Sequence, residues 1–127
     1  MRGFLKYHLP AVLYAAAILV VSSIPNLKSP GIRFLATDKL AHMIEYAVLA
    51  LLAFRSLNQF VGSVGIRSVV GLTFLVLAVM AVADETLQRY VPGRHSDWWD
   101  YLADVAGGSL VLVVLWWFRR VRGSPGK

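Results

Sequence analysis

Residues 69–83 read VVGLTFLVLAVMAVA, a run without a charge, and with residues 66–68 it has about the length a helix needs to cross a bilayer core. Composition extends that constraint to the whole chain. Of 127 residues 57% are hydrophobic and 16% charged, and the mean hydropathy is +0.62; soluble domains average roughly 45–50% apolar residues. The expectation is one small integral membrane domain covering residues 1–127. With no cysteine, disulfides and thiolate metal sites are excluded. The net charge of +6 does not point to nucleic acid, because the cations sit at the ends of apolar runs and in the tails. Membrane orientation accounts for them.

The expected architecture is all-α and polytopic, with four transmembrane helices at about residues 7–24, 39–57, 67–90 and 98–118. The first follows Arg2 and Lys6 and ends at Pro25; Pro10 falls in its first turn, where a missing N–H costs little. A basic start before an apolar run also fits a signal peptide, but the run is long for one and its small-residue cleavage pattern is poor. A retained span is the reading taken. Residues 26–37 form a loop with Pro30 and Gly31 as breakers, and Thr37 or Asp38 is positioned to cap the second helix. Carboxylates oppose the macrodipole at a helix C-terminus, so the third helix is expected to continue past Asp84 and Glu85, through Gln88, to the Pro92-Gly93 break. Ser96 or Asp97 then caps the fourth. Trp98 and Trp99 open that helix and Trp116 and Trp117 close it, as aromatic belts roughly 27 Å apart.

Four spans place Arg2, Lys6, Arg55, Arg67, Arg119, Arg120, Arg122 and Lys127 on one side, without an acid. The other side carries Lys28, Arg33, Lys39, Arg89 and Arg94 with all seven acids. Since cytoplasmic loops are rich in Lys and Arg, both termini are expected in the cytoplasm and the acids on the outer face of a multi-pass bacterial inner-membrane protein.

Those acids are patterned. Asp38, His42 and Glu45 share one helical face at i, i+4 and i+7; Asp97, Asp100 and Asp104 repeat the arrangement at i, i+3 and i+7; Asp84 and Gln88 pair at i, i+4. Glu45, Asp84 and Asp104 are each expected roughly 10–12 Å below a helix end. Packed together and dry they could not all stay ionised unless paired with Lys39, Arg89, Arg94 or a protonated histidine, or bridged by a cation. Gly107 and Gly108, just beyond Asp104, would admit a second helix at the floor of such a site. The plainer alternatives are that Asp38, Asp97 and Asp100 are solvated interfacial residues, that Asp84 and Glu85 pair structurally with Arg94, and that His42 is a hydrogen-bonded core histidine. His8 and His95 have no such neighbours.

The segments DKLAHMIEY (38–46), DETLQ (84–88), PGR (92–94) and DWWDYLADVAG (97–107) resemble, in order and spacing, the VanZ-like family of membrane proteins. The resemblance covers about 70 residues. One position departs from it: Asp104 stands where the family pattern favours asparagine, which adds a carboxylate. The resemblance implies a short multi-span protein of the cell envelope, and the family's namesake is an accessory protein of resistance to teicoplanin, an antibiotic acting on the cell wall.

Three functions are compatible with these residues. In the first, an outward-facing polar cavity lined by Asp38, Lys39, His42, Glu45, Asp84, Glu85, Gln88, Arg94, Asp97, Asp100 and Asp104 binds a membrane lipid or a lipid-linked envelope molecule, with Arg94 pairing bidentately to a phosphate or carboxylate. In the second, acids such as Asp84, Glu85 and Asp104, with or without His42, hold a divalent cation for an intramembrane enzyme acting on a lipid or cell-wall precursor. His42 and Glu45 could also act there as a general acid/base pair. The third, an ion path, is disfavoured by the apolar stretches 47–54 and 71–83, where Thr73 is the one polar residue.

Overall fold

The structure is a computed structural model that describes residues 2–25, 35–61, 63, 65–94 and 96–122. Among these residues it is all-helical: α1 (Arg2–Tyr7), α2 (Leu9–Ser22), α3 (Leu35–Val61), α4 (Ile66–Arg89) and α5 (Trp98–Arg122). Three of them, over Asp38–Val61, Ile66–Arg89 and Trp98–Arg122, are long and apolar enough to cross a membrane, and Leu9–Ser22 is a shorter apolar helix. The loop before α3, with Lys28 and Arg33, as well as His95 and the tail beyond Arg122, lie outside the described residues.

Several boundaries differ from expectation. Helix α3 begins at Leu35 rather than Lys39, so positions 37 and 38 lie inside its first turns rather than before them. Leu, Ala and Thr at 35–37 are all compatible with a helix, and the breakers Pro30 and Gly31 lie further upstream. At its other end α3 runs on to Val61, and Asn58 in that extension accepts a hydrogen bond from Arg119 Nη1 at 3.1 Å. Helix α4 continues past Asp84 and Glu85 and ends at Arg89. The chain then turns at residues 91–94, where the Arg94 amide donates to the Val91 carbonyl at 3.2 Å. Pro92 holds the first central position and Gly93, at φ 78°, the second, the pairing that a type II turn requires.

Helices α1 and α2 are nearly one helix, broken by Pro10. The His8 amide still reaches the Phe4 carbonyl at 2.9 Å, and the Val12 amide the His8 carbonyl at 3.1 Å. Pro10 has no amide for the Lys6 carbonyl, and Arg55 Nη2 of α3 donates to that oxygen at 3.1 Å. The far end repeats the device. Pro25 has no amide for the Val21 carbonyl, which accepts from the Ile24 amide at 3.1 Å and from Arg94 Nη2 at 2.9 Å. Two arginines from elsewhere in the chain thus dock on the two carbonyls that prolines deprive of their helical partners.

The helices alternate in direction, so α3 and α5 run parallel. Lys39 with Asp100, His42 with Asp104 and Asn58 with Arg119 are separated by 61, 62 and 61 residues, a constant offset along the pair. Close approach is possible because Gly107 faces the backbone of Met43: a Cβ there would lie 2.7 Å from Met43 Cα. The apolar core consists of Tyr46, Leu49, Ala50 and Phe54 of α3, Val69, Leu77 and Ala81 of α4, Leu112 of α5 and Ile18 of α2. Large apolar side chains such as Leu75, Val79, Leu110, Val113 and Trp117 point outward, as they do when lipid is the solvent.

Candidate functional site

The stripe of α5 that faces the bundle runs Asp100, Ala103, Asp104, Gly107, Gly108, Leu112. It is acidic where α5 begins, small in the middle and apolar beyond. On α4 the stripe runs Val69, Thr73, Leu77, Ala81, Asp84, Glu85, Gln88. Because α4 is antiparallel to α5, its acids arrive at the acidic end of α5. The buried faces therefore divide lengthwise into an apolar core and a polar head, and all seven acids of the chain lie in the head or at its rim.

The head has two tiers. In the outer one Lys39 Nζ donates to Asp97 Oδ2 at 2.9 Å and also to Asp100 Oδ1. Asp97 in addition caps α5, its Oδ1 accepting from the Trp99 amide at 3.1 Å. The other cap residue considered, Ser96, donates instead to Glu85 Oε2 at 2.9 Å, beside the Asp97 amide at 3.1 Å. Asp97, outside the spans, has its carboxyl held below the usual range by the hydrogen bond from Lys39 and then by that from the Trp99 amide.

The inner tier is deeper. His42 Nδ1 is hydrogen-bonded to Asp104 Oδ1 at 2.9 Å, and one ligand atom from each of His42, Asp84, Glu85 and Asp104 lies within 4.8 Å of all the others. Asp84 and Asp104 are fully buried and Glu85 nearly so. Gln88 Nε2 donates to Asp84 Oδ2 at 3.2 Å and to Ser22 Oγ of α2 at 3.3 Å. Even so, Asp84 Oδ1, Glu85 Oε1 and Asp104 Oδ2 have no hydrogen-bond partner, and neither has the buried hydroxyl of Tyr46. Three carboxylates converge with one histidine, and each keeps an oxygen free. Imidazole with carboxylates is a donor set suited to manganese or zinc. A second group of potential ligand atoms, Asp38, His42 and Asp100, shares His42, but there Lys39 already supplies a cation to Asp100.

A family model described as VanZ/LLP1 matches residues 5–119. The chain belongs to the VanZ/LLP1 family. Neither a curated protein nor a solved structure matches it. The family match spans both halves of the polar head of this VanZ/LLP1 membrane protein, as the motif resemblance implied.

The four ligand atoms brought together are those of the residues named for a cation, Asp84, Glu85 and Asp104 with His42; Glu45, expected at the same depth, is not in that group. Glu45, three residues beyond His42, is half-buried and lies within electrostatic reach of Tyr14 of α2, Asp84 and Arg94. Arg94, expected to face a ligand with a free fork, has one nitrogen committed to the Val21 carbonyl, while its buried Nε has no partner. The sequence reading left Tyr46 and Ser22 out of the site. Tyr46 stands at i+4 from His42, on the same helical face, and that spacing could have flagged it. For Ser22 no comparable signal exists. His8, at the opposite end, is hydrogen-bonded to Ser56 at 2.7 Å.

Proposed function

We propose that this VanZ/LLP1 protein spans the bacterial inner membrane four times with both termini in the cytoplasm, and that its polar head faces outward as the binding site for an anionic envelope ligand. The α1–α2 unit forms the first span; the backbone hydrogen bonds carried through His8 support this. The preponderance of cations at the opposite end supports the orientation. In this reading His42, Asp84, Glu85 and Asp104 hold a divalent cation, and the cation, with the remaining donors of Arg94, receives the phosphate or carboxylate of a lipid or lipid-linked molecule. The observation that carries it is the convergence of four ligand atoms within 4.8 Å in a group that retains three unpartnered carboxylate oxygens. The outer tier has Lys39 as its cation. The inner tier has three carboxylates against one imidazole, and a dication supplies the missing charge.

A second reading, hydrolysis of a lipid or cell-wall precursor by a metal-bound water, draws on the same donors, with the Tyr46 hydroxyl buried and unpartnered on the same face of α3 as His42. A link to teicoplanin resistance follows if the ligand is a cell-wall precursor. Native mass spectrometry of the detergent-extracted protein tests both parts of the binding reading. The expected result is a divalent-cation adduct in the wild type that His42→Ala and Asp84→Asn lose, and a retained lipid-linked species that Arg94→Ala weakens. Equal cation content in wild type and both site variants sinks the metal centre. Equal lipid retention with and without Arg94 sinks its role.

A further inference from the structure

The end of the bundle away from the acids carries a second feature that the outer site does not use. Between α4 and α5 an apolar groove of about 390 Å³ is lined by Val70, Gly71, Phe74, Leu112, Val113 and Trp116, with Ser109, a volume within the range of ligand pockets. At its end lies a basic pocket of about 320 Å³ lined by Ile66, Arg67, Trp116, Arg119 and Arg120. Trp116 lines both, so the two are adjacent. On α5, residues 109, 112, 113, 116, 119 and 120 fall at helical spacing along one face, and that face passes from apolar to basic at Trp116. On α4 the passage from Phe74 through Gly71 and Val70 to Arg67 mirrors it.

We propose that this groove and its mouth form a site for an anionic phospholipid of the adjoining leaflet, with an acyl chain along residues 70–74 and 109–116 and the headgroup phosphate on Arg67 and Arg120. Charge complementarity selects the occupant. The chain's seven acids are all at the other end, and among the described residues no carboxylate pairs with Arg67, Arg119 or Arg120. Arg119 is partly engaged, by Asn58 at 3.1 Å and over the Phe54 ring at 5.6 Å. Arg120 lies over the Trp116 ring at 5.0 Å, at the junction of groove and mouth. Arg67 is exposed on the first turn of α4, so the positive end of that helix adds to its field. Basic pockets between transmembrane helices are a recurrent means of binding acidic headgroups. Gly71 shapes the groove: a Cβ there meets nothing within 4 Å, so the glycine is not needed for helix contact and opens space that a side chain would fill.

The test is native mass spectrometry of the delipidated full chain titrated with phosphatidylglycerol or phosphatidylcholine. The wild type is expected to retain phosphatidylglycerol in preference to phosphatidylcholine. Arg67→Gln combined with Arg120→Gln should weaken phosphatidylglycerol binding by about 25-fold, at about fivefold per arginine near the surface, while phosphatidylcholine binding stays unchanged. Gly71→Leu, which fills the groove and leaves every arginine in place, should reduce retention of phosphatidylglycerol. Equal affinity of the wild type for the two lipids overturns the proposal, as does undiminished phosphatidylglycerol retention in either variant. A lipid-free dimer that buries this face would overturn it in favour of a second copy of the chain.

Discussion

His42 of α3 and Asp104 of α5 meet at 2.9 Å, side chain to side chain, one residue and one turn respectively before the place where Gly107 lets α5 rest on the backbone of Met43. The contact between the backbones sets the distance between the side chains. A bulkier residue at 107 would part the two helices and open the inner tier of the polar head.

Gly107→Ala should therefore destabilise the protein by about 1–3 kcal/mol, the usual cost of overpacking, because the new methyl meets backbone that cannot rotate away. Gly71→Ala, in open space, should be neutral or stabilising by up to about 1 kcal/mol through helix propensity. Thermal unfolding in detergent distinguishes the two, and equal melting temperatures would refute the assigned close approach.

Asp104→Asn removes the charge and keeps the shape of the side chain. Its amide oxygen can still accept from His42, so the fold should persist with a melting temperature near that of the wild type. Loss of one anionic donor should weaken divalent-cation binding by at least about tenfold. Titration of the metal-free protein with manganese or zinc measures this, and an unchanged affinity would remove Asp104 from the metal-binding set.

Arg55→Gln should cost about 1 kcal/mol by leaving the Lys6 carbonyl without its donor. In a Pro10→Ala background the restored amide can fill that carbonyl. The cost of Arg55→Gln should then shrink, with a coupling of about 0.5–1 kcal/mol. Because the contact between Arg55 and the Tyr7 ring at 5.2 Å is lost in both backgrounds, it cancels from the double-mutant cycle. Strict additivity would show that the proline and the arginine are unrelated.

Acid should loosen the Lys39–Asp97 pair. The Asp97 carboxyl is held below its ordinary value by Lys39 and the Trp99 amide, so its contribution is fully present above the unfolded value of about 3.9 and is lost as pH falls through the lower folded value. Asp97→Asn should lower the melting temperature at neutral pH and flatten its decline below about pH 4. Parallel melting curves for wild type and variant throughout that range would dismiss the Lys39–Asp97 pair as a source of stability.

What residue order determined by itself is what one helix decides alone. Uncharged runs of bilayer length require membrane helices, the i, i+3, i+4 and i+7 spacing of Asp38, His42, Asp97, Asp100 and Asp104 puts them on single faces, and helix ends follow Pro92-Gly93 and the Asp97 cap. Family membership was equally legible, since it rests on short motifs in order. Depth along a helix could be counted too, but depth does not say which way a side chain turns about the axis. That rotation is set by packing between helices, and here it depends on Gly107 meeting Met43. Tertiary structure alone therefore decided that His42 meets Asp104, that Lys39 pairs with Asp97 and Asp100, that Tyr46 and Ser22 join the polar head, and that Arg94 reaches back to a carbonyl freed by Pro25.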